Sequence, residues 1–125
     1  MTTTTVDLNW ASVNIDSADP ARLANFWGAV LGRPVRPGVT PGTMTVDAPD
    51  SGSGLQMIFH AAAAAGSSTG GYRPTLLTDH HDAETERLVG LGAKLVNSAY
   101  YAPIRLTVLA DPEGNPFNLA TWQSE

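Results

Sequence analysis

The chain contains no cysteine. Disulfides, thiolate metal sites and a cysteine nucleophile are therefore excluded. Basic residues are scarce, at 7 Lys+Arg against 12 Asp+Glu, for a net charge of −5. No basic cluster is available to neutralise phosphates, so nucleic acid is not an expected partner. No apolar stretch approaches the roughly 20 residues of a membrane span. MTTTTVDLNW lacks a basic segment followed by an apolar run, so it does not read as a signal peptide. A cytoplasmic location is the expectation. Gly-rich phosphate loops, serine-elbow motifs and zinc-type spacings are also missing.

What remains suffices for a globular fold. Apolar residues make up 42% of 125 residues. A chain of this size buries roughly two-thirds of its unfolded surface. One compact unit, or two small modules sharing a core, is expected.

Thr2–Thr5 reads as a frayed tail. Trp10–Asp16 alternates, with Val13 and Ile15 on one face and Trp10, Ser12 and Asn14 on the other, as in a half-buried strand. Asp19 suits an N-cap and Pro20 the first helical position. Leu23, Phe26, Trp27, Val30 and Leu31 then fall at helical spacing. Gly32 ends that helix and Pro34 prevents its return. Pro37, Pro41 and Gly42 mark loops, and Met44–Ala48 and Leu55–His60 read as short strands. Ala61–Gly71 is low in complexity and reads as a flexible linker. Pro74–Thr78 is the next strand, and a second helix is expected from about Asp82 to Leu91, ended by Gly92. Lys94–Ser98 and Ile104–Ala110 are strands. Asp111–Leu119, DPEGNPFNL, is turn chemistry leading into a closing strand.

The order strand, helix, three strands therefore occurs twice. Gly32 and Gly92 lie 60 residues apart, as do Gly54 and Gly114, Asp19 and Asp79, and Leu31 and Leu91. Most of these positions are caps or turns, where backbone geometry constrains the residue. The fold class expected is α+β. Two βαβββ modules form a curved mixed, mostly antiparallel sheet around a cleft, with the helices outside. The modules are placed at 1–61 and 72–125, with the linker at 62–71.

DPARLANFWGAVLG at Asp19–Gly32, LVGLGA at Leu88–Ala93 and DPEGNPFNL at Asp111–Leu119 together resemble the vicinal oxygen chelate superfamily. That superfamily holds glyoxalases, ring-cleaving dioxygenases and bleomycin-resistance proteins, and the likeness is to its small glyoxalase-like members. It extends over nearly the whole chain. The resemblance implies a cleft that in metal-using relatives holds a divalent ion on His, Glu or Gln from four inner strands. Carried over, these positions fall near Ser12, at Gln56 or Ile58, at Arg73 or within a residue of it, and at Asn118. That set does not suit a divalent metal, and an arginine would repel it. Tyr72–Thr78 contains no His, Asp, Glu or Cys, so a small register error does not restore the site. The expectation is a cleft without metal or other cofactor.

Several residues then compete for roles. His60 shares the parity of Gln56 and Ile58, so it is either a general base or donor at the cleft or a hydrogen-bonded strand-end histidine. His80-His81 is expected in an exposed loop or cap. Asn14 and Asn118 bond either each other or a ligand. Arg73 either clamps an anionic oxygen through its planar fork or is an edge arginine. Trp10 and Trp122 have inner-face parity, and Tyr100 and Tyr101 are expected in the loop between Ser98 and Ile104. These aromatics form an apolar ligand slot, fill the core or make a dimer contact.

Two functional classes follow. One is a metal-free protein that binds an aromatic, polyketide-like or peptide-like molecule through Trp10, Ser12, Asn14, Gln56, Tyr101 and Trp122. The other is a metal-independent isomerase, cyclase or lyase using His60, Arg73 and Asn118, with a metal-dependent lyase or dioxygenase behind it. The resemblance further implies a homodimer, with modules paired within a chain or exchanged between chains.

Overall fold

A computed structural model describes residues 12–48, 55–61 and 73–122. Trp10, Gly54 and the expected linker lie outside the described residues. The elements run β1 (Ser12–Ser17), α1 (Pro20–Leu31), β2 (Val35–Pro37), β3 (Thr43–Val46), β4 (Gln56–Ala61), β5 (Thr75–Leu77), α2 (His81–Leu91), β6 (Lys94–Tyr101), β7 (Ile104–Ala110) and β8 (Pro116–Trp122). The α+β class and the repeated βαβββ order are as the sequence predicts. Hydrogen bonding groups the strands into two four-stranded mixed sheets, ordered β1-β4-β3-β2 and β5-β8-β7-β6. The orders are the same under renumbering. In each sheet the first strand lies parallel to the last, and the other pairs are antiparallel.

Local chemistry explains the boundaries. The Asp19 carboxylate accepts from the Arg22 N–H, and Pro20 opens α1. Gly32 and Gly92 end the two helices with φ of 64° and 119°, the left-handed geometry that a Cβ opposes. The N-cap of α2 is His80 rather than Asp79, and its side chain makes no capping bond. Val35–Pro37, read from sequence as loop, is an edge strand. Proline is tolerated there because one side needs no ladder donor. β6 runs to Tyr101, well past Ser98, and absorbs a bulge between Leu95 and Asn97. Tyr100 and Tyr101 are therefore strand residues and not loop residues.

Gly28 lies inside α1 for a packing reason. A Cβ there would run into the Val35 side chain, so glycine lets β2 close against the helix. Leu23, Phe26, Trp27 and Val30 of α1 bury against Val46, Met57 and Phe59 of the first sheet. The core continues into the second module through Phe117, whose ring lies 4.9 Å from Trp27 and 6.3 Å from Phe26, both edge-on.

The Asp111–Leu119 stretch ties the modules together. Buried Asp111 accepts from the Glu113 and Asn115 N–H groups at 3.0 and 2.9 Å, which shapes its own turn. Its other oxygen accepts from Trp27 Nε1 at 3.2 Å, which reaches across to α1. Glu113 accepts from Ser17 Oγ at 2.5 Å and from the N–H groups of Ala18 and Asp19. A turn of the second module thus braces the β1–α1 junction of the first. Arg87 of α2 adds bonds to the Ala29 and Val30 carbonyls near the end of α1.

Candidate functional site

The strand period of two divides each sheet into a helix-facing side and an open side. In the first sheet Ile15, Met44, Val46, Met57 and Phe59 belong to the core on the helix side. The open side takes the alternate positions. One row across β1, β4, β3 and β2 reads Asn14, Ile58, Thr45, Arg36, and the next reads Asp16, His60, Thr43. Ser12 and Gln56 face one another a step earlier. This open side is mostly polar.

The second sheet differs. Its open rows, taken across β6, β7 and β8, read Tyr101, Ile104, Trp122, then Ala99, Leu106, Ala120, then Asn97, Val108, Asn118. Leu77 and Thr75 of β5 extend the last two rows. Tyr101 and Trp122 are each 64% exposed, so two rings flank Ile104 on one uncovered row.

Of the predicted site residues, Ser12, Asn14, Gln56 and His60 share the first open side, whereas Tyr101, Asn118 and Trp122 share the second. Arg73 is exposed and lies two residues ahead of β5. Asn14 and His60 meet directly, with His60 Nε2 2.7 Å from Asn14 Oδ1. Asn14 and Asn118 do not bond each other. Asn118 donates instead from Nδ2 to Thr75 Oγ1 at 3.2 Å, and its buried Oδ1 has no partner.

Thr75, rather than Arg73, stands opposite Asn118, as Gln56 stands opposite Ser12. The offset of 60 carries the end of β1 at Ser17 to the end of β5 at Leu77, and the start of β4 at Gln56 to the start of β8 at Pro116. The positions to which the resemblance points, Ser12, Gln56 or Ile58, Arg73 and Asn118, carry neither a carboxylate nor an imidazole. Such a set makes a poor divalent site. Among the described residues no three His, Asp or Glu side chains converge.

His81 is the residue that sequence reasoning misplaced. It opens α2 and is buried at 5% exposure, not displayed in a loop. Its Nδ1 lies 2.8 Å from Thr121 Oγ1 and its Nε2 2.7 Å from Thr107 Oγ1. Thr107 lies 3.2 Å from Ser98 Oγ. Threonines at strand parity on β7 and β8 were the available signal, because a buried imidazole needs two partners. Burial and then the Arg105 charge push His81 below its ordinary value, and Asp82 opposes them. Arg105 donates to Asp82 at 2.6 Å and holds that carboxyl below its usual range.

A family model described as a glyoxalase-like domain matches residues 12–120. Among solved structures, the chain resembles a glyoxalase/bleomycin resistance protein/dioxygenase family enzyme from Burkholderia phytofirmans PsJN, with a TM-score of 0.70 at 23% identity. That match covers 89% of this chain and 96% of the other. A glyoxalase-related enzyme from Fulvimarina pelagi matches with a TM-score of 0.68 at 16% identity, covering 93% and 88% of the two chains. A glyoxalase/bleomycin resistance protein/dioxygenase from Nocardioides matches with a TM-score of 0.66 at 17% identity, covering 97% and 87%. These structures share the fold. No curated protein gives a significant match. Among the described residues no helix is long and apolar enough to cross a membrane.

Proposed function

The chain belongs to the glyoxalase-like domain family, and on that premise we propose that it binds a small aromatic, polyketide-like or peptide-like molecule without a metal ion. The observation that carries this reading is the row Tyr101, Ile104, Trp122 on the open side of the second sheet. Two rings at 64% exposure on one row are apolar surface in need of a partner. The polar open side of the first sheet supplies hydrogen-bonding groups of the kind that orient a ligand. The molecule is bound from the cytoplasm by a homodimer, and neither nucleic acid nor membrane takes part. The net charge of −5 supports the exclusion of nucleic acid.

One contact favours a second reading, a metal-independent isomerase, cyclase or lyase. His60 held by Asn14 at 2.7 Å is an oriented imidazole able to move a proton. In that reading Arg73 and Asn118 hold the developing oxyanion. The metal-dependent lyase or dioxygenase of the wider superfamily is not favoured by Ser12, Gln56 or Ile58, Arg73 and Asn118, a set with neither carboxylate nor imidazole.

Two measurements test the proposal. Elemental mass spectrometry on protein purified without chelator or His-tag, before and after adding nickel, zinc, manganese and ferrous iron, is expected to find no stoichiometric metal. One tightly held ion per chain would overturn the metal-free reading. Calorimetric titration with a hydroxynaphthalene probe is expected to show saturable binding, lost in Trp122→Ala. Equal affinity in that variant would sink the assignment of the binding face. Turnover that disappears in His60→Ala while binding persists would favour the enzyme.

A further inference from the structure

The helix-facing side of the second sheet carries chemistry that neither reading uses. Ser98, Ala99 and Tyr100 of the edge strand β6 and Arg105 of β7 line a shallow hollow that is wide open to solvent. The register sets Tyr100 opposite Arg105 and Ser98 opposite Thr107. Ser98, Tyr100 and Arg105 therefore share the side that Thr107 presents to His81, away from the open rows.

Each wall group has spare capacity. Among the described residues, Arg105 bonds only Asp82, through one guanidinium nitrogen at 2.6 Å. The Asp82 side chain is 83% exposed, and an ion pair so open to water is weak and readily exchanged. Tyr100 is 59% exposed, which leaves its ring free to pack. The Ser98 hydroxyl is steadied on Thr107, which is itself held by His81. One planar cation, one hydroxyl and one ring around one hollow match an anion carried on an aromatic ring. The guanidinium fork fits a carboxylate with two parallel bonds, and the ring fits the phenol face. A chain with only 7 Lys+Arg has few places where an anion is welcome.

We infer that this hollow is a second ligand site, separate from the Tyr101, Ile104, Trp122 row, and that it takes an aromatic carboxylate. It does not rest on the proposed function, because none of Ser98, Ala99, Tyr100 and Arg105 belongs to the Tyr101, Ile104, Trp122 row.

The test uses benzoate as the probe, by calorimetric titration and amide chemical-shift mapping on the full chain. Wild type is expected to bind benzoate saturably, with shifts centred on β6 and β7. Arg105→Met is expected to weaken binding by about tenfold, the scale of a lost charge-assisted bond. Asp82→Asn frees the guanidinium and is expected to tighten binding by about threefold. Trp122→Ala is expected to leave benzoate affinity unchanged, which separates this site from the open face. Asp82 is exposed and α2 does not depend on it for packing, so that variant stays informative if Arg105→Met folds poorly. The inference is overturned if benzoate does not saturate, if Asp82→Asn weakens binding, or if Trp122→Ala removes it.

Discussion

The two modules share one topology and differ in where their polar and aromatic residues lie. In the first, the helix side of the sheet is dry, with Met57, Phe59 and Val46 under α1, and the open side carries Ser12, Asn14, Asp16 and His60. In the second, a polar seam of His81, Thr107, Thr121 and Ser98 runs under α2, and the open side carries Tyr101, Ile104, Leu106 and Trp122. The helices follow suit. Buried residues of α1 include Leu23, Ala24, Phe26, Trp27, Gly28 and Val30, whereas those of α2 are His81 and Leu88. Backbone hydrogen bonding and strand order require only alternation, not a given polarity on a given side. The first module therefore acts as the apolar anchor of the fold. The second is free to carry exposed rings and a buried imidazole, because Phe117 packs on Phe26 and Trp27 of the anchor.

The largest expected effect tests that dependence. Phe59→Ala and Phe117→Ala each empty a fully buried ring site, a loss of about 3–5 kcal/mol. Against a typical domain stability of about 5–15 kcal/mol this removes much of the total. Phe117 also contacts both Phe26 and Trp27, so its loss uncouples the modules as well as hollowing one. Urea unfolding followed by tryptophan emission and by far-ultraviolet circular dichroism distinguishes the cases. Coincident transitions in Phe59→Ala are expected if the anchor holds both modules. A surviving second transition in that variant would mean that the second module folds without the first.

The next effect is smaller and is confined to the polar seam. Burial and Arg105 lower the affinity of folded His81 for a proton, whereas the unfolded chain binds one with the ordinary value of 6.5. Above that value both states are neutral at this group and it has no effect on stability. As pH falls through 6.5 toward the lower folded value, the unfolded state gains protons first and stability declines. His81→Gln keeps polar contact with the threonines and cannot titrate. Urea midpoints measured at about pH 7.5 and about pH 5.5 are expected to differ more in wild type than in His81→Gln. Equal differences would show that the seam does not sense pH.

Most of the architecture was legible because it rests on local constraints. Asp19, Pro20 and Gly32 bound α1 as their chemistry demands, and Asp111–Asn115 forms the turn expected of it. Positions decided by nonlocal pairing were less legible. The sequence held no sign that Glu113 would reach Ser17 and Ala18, because that bond joins residues far apart in the chain. His81 looked like a surface residue because helix starts are usually exposed, and β7 and β8 bring Thr107 and Thr121 to the two sides of its ring. Tyr101 was expected in the loop between Ser98 and Ile104, yet the β6–β7 hairpin turns in the short space between Tyr101 and Ile104. The candidate site was legible in part. Asn14 and His60 shared a face by parity alone, whereas the Thr75 partner of Asn118 required the parallel pairing of β5 with β8.

The smallest effect on stability separates folding from binding on the open side. Trp122 is 64% exposed at the end of β8, so Trp122→Ala removes little buried area and is expected to shift stability by no more than about 0.5 kcal/mol. Phe117 lies five residues earlier on the same strand and is fully buried. The two aromatics thus differ in what covers them. If the open side of the second module is the ligand face, Trp122→Ala reduces hydroxynaphthalene affinity by at least about tenfold while the urea midpoint stays put. Tyr101→Ala, two strands away on the same row, then reduces it too, because both rings flank Ile104. A Trp122→Ala variant that is destabilised as much as Phe117→Ala would mean that this face is covered in solution by a second chain. The contrast between an anchoring module and an exposed one would then hold only for the isolated protomer.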